Sequence, residues 1–181
     1  MKDYFLYQQF HVIRDDEWEK LYTGMPASLQ YEIIKETHKT VVQTFKVFQN
    51  KERAFIMDLL PSLTQHVFFQ DDILYSQSDI AEYMYFLYEG EVQLFSDISQ
   101  EIDMSGLLDY QDKCVFNIQF THYTSGGYFG DEDSLIQTYG HRNHTAVCYK
   151  QSWLYLIFAS TLKSILQKYP EYYGLFTSIA R

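Results

Sequence analysis

The amino-acid sequence predicts an α+β fold with segregated elements: helices first, then seven or eight short strands, then two helices. Three observations lead there. Apolar residues recur at three- and four-residue steps over residues 26–48 and again over 161–169. From Val67 to Ile157 the pattern changes to short apolar or alternating runs, with Gly, Asp, Ser and Asn between them. Aromatic content is 18%, with 17 Tyr and 14 Phe in 181 residues, which supplies a packed core and argues against global disorder.

The N-terminal elements follow from this pattern. "RDDEWEKLYTG" reads as a short helix, with Asp16 and Glu19 at capping-box spacing and Gly24 at the exit. "MPASLQYEIIKETHKTVVQTFKVFQ" places Pro26 in a first turn and Leu29, Ile33, Thr37, Val41, Phe45 and Phe48 on one apolar face. "NKERAFIMDLLPSL" groups Phe55, Ile56, Leu59 and Leu60 before Pro61 ends or kinks the helix.

The strand region holds "HVFF", "DILY", "MYFLYEG", "EVQLF", "VFNIQF", "HTAVCY" and "WLYLIF", a spacing that suits a sandwich or roll. "YEGEV" reads as a hairpin turn centred on Gly90. "ISQEIDMSGLLDYQDKC" (98–114) lacks sustained periodicity and reads as a long excursion. Ser160 is placed to cap "TLKSILQKY", whose Leu162, Ile165, Leu166 and Tyr169 form a stripe, and Pro170 restarts the chain for "EYYGLFTSIA".

Charge and composition exclude several functions. Twenty-four acidic against 14 basic residues leave a net charge of −10, which disfavours nucleic acid and anionic membranes. Two cysteines, Cys114 and Cys148, form neither a zinc motif nor a disulfide framework, so a reducing, cytoplasmic setting is expected. The N-terminus has no apolar signal region, and no run of about 18 apolar residues is present, so no membrane span is expected. No nucleophile elbow, zincin helix or phosphate loop occurs, so neither an enzyme nor a cofactor is expected. His122 and "HRNH" lack metal-ligand spacing, and no metal is expected.

"TSGGYFGDEDSLIQTYGHRNHTAV" (124–147) carries the candidate chemistry. A glycine turn precedes three carboxylates, an apolar run and Arg142, which is the sole Lys or Arg between Lys113 and Lys150. An anionic phosphodiester wants backbone N–H groups at a helix start and a planar guanidinium. Gly130 would let the backbone approach closely. His141 and His144 would add positive charge at mildly acidic pH. Asp131, Glu132 and Asp133 oppose an incoming anion, and Arg142 is equally suited to pairing with Asp131 or Glu132 as an internal salt bridge.

"MPASLQYEIIKETHKTVVQTFKVFQ", "AEYMYFLYEGEV", "GGYFGD", Arg142 and "LKSILQKYP" occur in the order found in cyclic-nucleotide-binding domains. The chain resembles those of voltage-gated and cyclic-nucleotide-gated cation channels, ciliate potassium channels included. The resemblance implies a β-roll of the double-stranded β-helix type, with C-terminal helices. It implies a helical linker over residues 1–50 and a binding domain over 51–181. The ligand would be cAMP or cGMP, and the partners neighbouring subunits or a channel pore, reached through the N-terminal helices. Phe129, Gly130 and Asp131 match the family's Phe-Gly-Glu, with Asp131 at the ribose glutamate. Glu132 follows in the short helix whose amides hold the phosphate. Arg142 matches the phosphate arginine and Asn143 the following Thr or Ser. The turns in "FFQDDIL" and "YSQSDIAEYM" hold Asp71 and Ser78 where the family commonly has glycine. A ligand-independent homologue serving in assembly is the alternative.

Overall fold

The structure, a computed structural model, describes residues 22–101, 113–136 and 140–177. Contacts divide the chain into two compact units, Met1–Lys39 and Thr40–Arg181. The expected helix at 14–24, with Asp16 and Glu19, lies almost wholly outside the described residues.

The expected continuous helix over 26–48 is broken. Helix α1 spans Ala27–Thr37, α2 spans Lys39–Thr44, and a 3-10 turn follows at Lys46–Phe48. The Thr37 hydroxyl donates to the Ile33 carbonyl and the Thr44 hydroxyl to that of Thr40. Such back-bonding competes with the helix ladder and bends it. Phe45 is extended at φ −96°, ψ 110°. That break turns Phe45 and Phe48 onto Phe86, at ring distances of 5.5 and 5.0 Å. Helix α3 (Arg53–Leu59) buries Phe55, Ile56 and Leu59 as its pattern predicts.

Eight strands follow among the described residues: β1 Thr64–Phe68, β2 Ile73–Tyr75, β3 Tyr83–Glu89, β4 Glu91–Glu101, β5 Lys113–Thr124, β6 Tyr128–Phe129, β7 Thr145–Cys148 and β8 Ser152–Phe158. They form two four-stranded sheets, ordered β1-β8-β3-β6 and β2-β7-β4-β5, with antiparallel pairing throughout. Tyr75, Tyr85, Leu87, Val92, Leu94, Phe129, Ala146, Cys148, Leu154 and Leu156 fill the roll between them. In β3 four consecutive residues, Met84 to Leu87, are buried. Tyr85 and Leu87 join the roll interior, while Phe86 meets Phe45 and Phe48, so both faces are covered and alternation is lost.

Three expectations are corrected. Gly90 does not close a hairpin: β3 pairs with β8 and β6, and β4 with β5 and β7, so Gly90 carries the chain from one sheet to the other. Its φ is +111°, and a Cβ there would lie 2.7 Å from the Ser152 Cα. The excursion at 98–114 is shorter, because β4 runs to Glu101 and β5 starts at Lys113, paired Glu101 to Lys113. Ser160 is no cap. Helix α4 starts at Ala159, whose N–H donates to the Glu82 carbonyl at 2.8 Å, so the sheet satisfies the helix start. Leu162, Ile165 and Leu166 of α4 (Ala159–Lys168) are buried as expected, and α5 follows at Tyr173–Thr177.

Asp71 and Ser78 stand at φ +68° and +75°. The turns thus keep the backbone that glycine favours while carrying side chains.

Gly90→Ala is expected to destabilise the fold by about 2 kcal/mol in urea titration, since strain and overlap with Ser152 add. Ser78→Gly should raise the melting temperature. Relief of left-handed strain of about 1–2 kcal/mol exceeds the added unfolded-state entropy by about 0.5 kcal/mol.

Candidate functional site

Arg142 is held by its backbone before its side chain is considered. Its N–H donates to the Asp79 carbonyl and its carbonyl accepts from Ser78, both at 2.8 Å. Ala81 N–H donates to the Gly140 carbonyl at 2.6 Å, and Ile80 bridges His141. The left-handed turn at Ser78 therefore sets where the arginine starts.

From there the side chain runs inward and is 3% exposed as a residue. The guanidinium lies over the Tyr75 ring at 4.1 Å and near the Tyr85 ring at 5.6 Å. Nη1 donates to the Gly130 carbonyl at 3.2 Å, and Nη2 donates to the Tyr83 carbonyl. Asp133 Oδ2 lies 3.8 Å from Nη1, fully buried. That gap is an ion pair rather than a hydrogen bond, and both Asp133 Oδ2 and Arg142 Nε lack any hydrogen-bond partner. Gly130 has φ +83°, and a Cβ there would lie 2.7 Å from Nη1. Its close approach is thus to the protein's own arginine.

After Gly130 a π-helical turn spans Glu132–Ile136. Ser134 donates from both its N–H and its hydroxyl to the Gly130 carbonyl. The turn separates the three carboxylates. Glu132 is exposed. Asp133 faces the arginine. Asp131, 7% exposed, lines a different cavity of about 420 Å³ with Thr44, Lys46, Tyr123 and Tyr128. Burial pushes the Asp131 carboxyl up to about 6, against hydrogen bonds from its own and the Glu132 backbone N–H, and the Glu132 and Asp133 charges add to the rise.

Arg142 also lines an open cleft of about 550 Å³, with Tyr75, Tyr83, Tyr85, Asp79 and Glu82 on its walls. His144 does not line the cleft but contacts Tyr75, which does. Its Nε2 shares a 2.8 Å hydrogen bond with the Tyr75 hydroxyl and lies 4.0 Å from Asp133 Oδ2. Burial lowers its pKa, so His144 is neutral at neutral pH. That shift works against the positive charge expected of His144 at mildly acidic pH, while His141 is exposed, with Nδ1 at 3.0 Å from the Ser78 carbonyl.

A family model described as Cyclic nucleotide-binding domain matches residues 65–169, more than half of the chain. The chain belongs to the cyclic nucleotide-binding domain family. Curated relatives include the cyclic nucleotide-gated channel alpha-3 of Homo sapiens, 26% identical over 86% of this chain and 20% of that protein. The potassium/sodium hyperpolarization-activated cyclic nucleotide-gated channel 1 of Rattus norvegicus is 22% identical over 98% of this chain and 17% of that one. The chain thus spans a fifth or less of these channels. Among solved structures, the regulatory domain of Toxoplasma gondii PKA with cAMP aligns at TM-score 0.62, with 12% identity over 82% of this chain and 50% of that one. The catabolite activator protein of Thermus thermophilus aligns at 0.56, with 17% identity over 73% and 54%. Both likenesses establish the roll.

Within this cyclic-nucleotide-binding-type roll, the residues expected to act together are dispersed. Gly130 and Arg142 meet. Phe129 is a core residue, stacked on Tyr85 at 5.2 Å and 4°. Asp131 faces the other cavity, Glu132 faces solvent, and Asn143 is exposed while its N–H reaches Asp133 Oδ1 at 3.4 Å. The expected pairing of Arg142 with Asp131 or Glu132 is replaced by pairing with Asp133. The tyrosine cage was not foreseen, and His144 was expected as a charge rather than as the hydrogen-bond partner of Tyr75. Their signal was weak, since each lies in an ordinary apolar strand run. Among the described residues no cluster of three His, Cys, Asp or Glu is arranged for a metal, and no helix is long and apolar enough to cross a membrane.

Because the folded pKa of Asp131 lies above its unfolded value, this group opposes folding at neutral pH, and the penalty fades as pH falls through 6 toward about 4. Asp131→Asn is therefore expected to stabilise the protein at neutral pH and to lose that gain by about pH 4. Urea titrations at the two pH values check this, and an equal gain at both would contradict it.

Proposed function

We propose that the chain is a non-enzymatic regulatory module that takes a cyclic nucleotide, cAMP or cGMP, in the cleft lined by Arg142. The observation that carries this reading is an incompletely hydrogen-bonded arginine, Arg142, lining an aromatic cleft of about 550 Å³. That volume lies in the range of small-molecule sites, about 300–1,000 Å³. Tyr75, Tyr83 and Tyr85 offer rings to a base or ribose, and Arg142 offers its remaining N–H donors to the cyclic phosphate.

The response would leave the roll by an aromatic route. Tyr128 follows the glycine turn and donates from its hydroxyl to the Leu175 carbonyl at 2.8 Å, while Tyr173 donates to the Leu135 carbonyl in the π turn at 3.2 Å. Tyr128 also meets Phe86, and Phe86 meets Phe45 and Phe48. A shift of the π turn is thus felt by α5 and by the segment leading out of α2. With channel relatives, residues 1–50 act in this reading as a helical linker to a cation-channel pore or similar effector and to neighbouring subunits. The module then belongs to the cytosolic part of a membrane protein.

A second reading has its own observation. Asp133, two carbonyls and two tyrosine rings already surround Arg142, as in a ligand-independent homologue that serves assembly. Titration calorimetry and thermal shift with cAMP and cGMP separate the two. The first reading expects heat of binding and a raised melting temperature. Silence at millimolar ligand in both measurements removes it and leaves the second.

A further inference from the structure

We propose that Asp133 is an internal counter-anion that sets the anion affinity of the Arg142 cleft, holding it low until its charge is displaced or removed. The proposal rests on the reading of that cleft as an anion site and names what regulates it. Asp133 is fully buried, does not line the cleft, and approaches the guanidinium at 3.8 Å. It therefore neutralises Arg142 from within while the cleft approaches it from another side.

The pairing is incomplete. Asp133 Oδ1 receives the Asn143 N–H at 3.4 Å, while Oδ2 has no donor and Arg142 Nε has no acceptor. A well-made buried pair would satisfy both, because unsatisfied buried polar atoms are costly. Nη1 and Nη2 are each engaged by one carbonyl and Nε–H has no acceptor, so three of the five guanidinium N–H donors are not used by these contacts. Burial lowers the His144 pKa and so works against a compensating positive charge beside Asp133. Asp79 and Glu82 on the cleft wall add negative charge, so with Asp133 ionised the lone cation is outweighed. Neutralising Asp133 frees the full positive charge of Arg142 for a ligand anion without altering the cleft's lining.

The test uses Asp133→Asn in the full chain, with Asp58→Asn as a control that removes one carboxylate from the exposed pair with Lys168. The probes are cAMP, by calorimetry, and inorganic phosphate, by melting temperature. D133N is expected to bind cAMP at least about tenfold more tightly than the parent, and millimolar phosphate should raise its melting temperature more than it raises that of the parent or of D58N. If phosphate acts selectively on D133N but cAMP binds neither protein, the counter-anion role stands and the nucleotide reading fails. If cAMP binds parent and D133N equally, the nucleotide reading stands and this proposal fails. The proposal also fails if D58N matches the response of D133N. Should D133N not fold, Asp133→Ser carries the same comparison, and its indifference to both probes counts against the proposal.

Discussion

A buried guanidinium must be neutralised and hydrogen-bonded where it lies, and the interior of this roll is organised around that requirement. Arg142 enters between Tyr75 and Tyr85, draws in the carbonyls of Gly130 and Tyr83, and brings Asp133 to its inner side. Gly130 has to lack a side chain because that cation occupies the space. The Ser78 turn fixes where the arginine leaves the backbone. Three other segments, around Tyr75–Ser78, Tyr83–Tyr85 and Gly130–Asp133, are thus tied to one planar ion.

The sequence made the architecture readable where one physical signal dominated. The runs at β1 to β5, β7 and β8 were visible because a short hydrophobic run bounded by turn residues suits a strand and little else. The Asp71 and Ser78 turns were visible by comparison with a family that uses glycine there. β6 was hidden because two residues carry no period. The hairpin reading at Gly90 failed because a one-residue connection looks the same whether its strands pair or part into separate sheets. The break after α1 was hidden because Thr37, whose hydroxyl back-bonds to the Ile33 carbonyl, also suits the apolar spacing.

The site was legible in parts and not in arrangement. Glycine, carboxylates and a lone arginine were the right ingredients. Which of three adjacent carboxylates would face the arginine depends on the local helical screw, and composition does not state it. Asp131 and Asp133 both end up buried, but in different surroundings: one against Tyr123 and Tyr128, the other against Arg142 and His144. Only Asp133 faces the arginine, although the Glu132 and Asp133 charges still raise the Asp131 pKa.

The π turn at Glu132–Ile136 has a further consequence. A π turn closes i→i+5 and holds one residue more than an α turn, in which each residue advances about 100° around the axis. Segment length here acts as a rotary selector. Shortening this turn by one residue would swing a different acid toward the arginine, with every neighbouring side chain otherwise retained. Chains with nearly the same residues in this stretch would then differ in which charge they present to a ligand, and an insertion or deletion would matter more than a substitution.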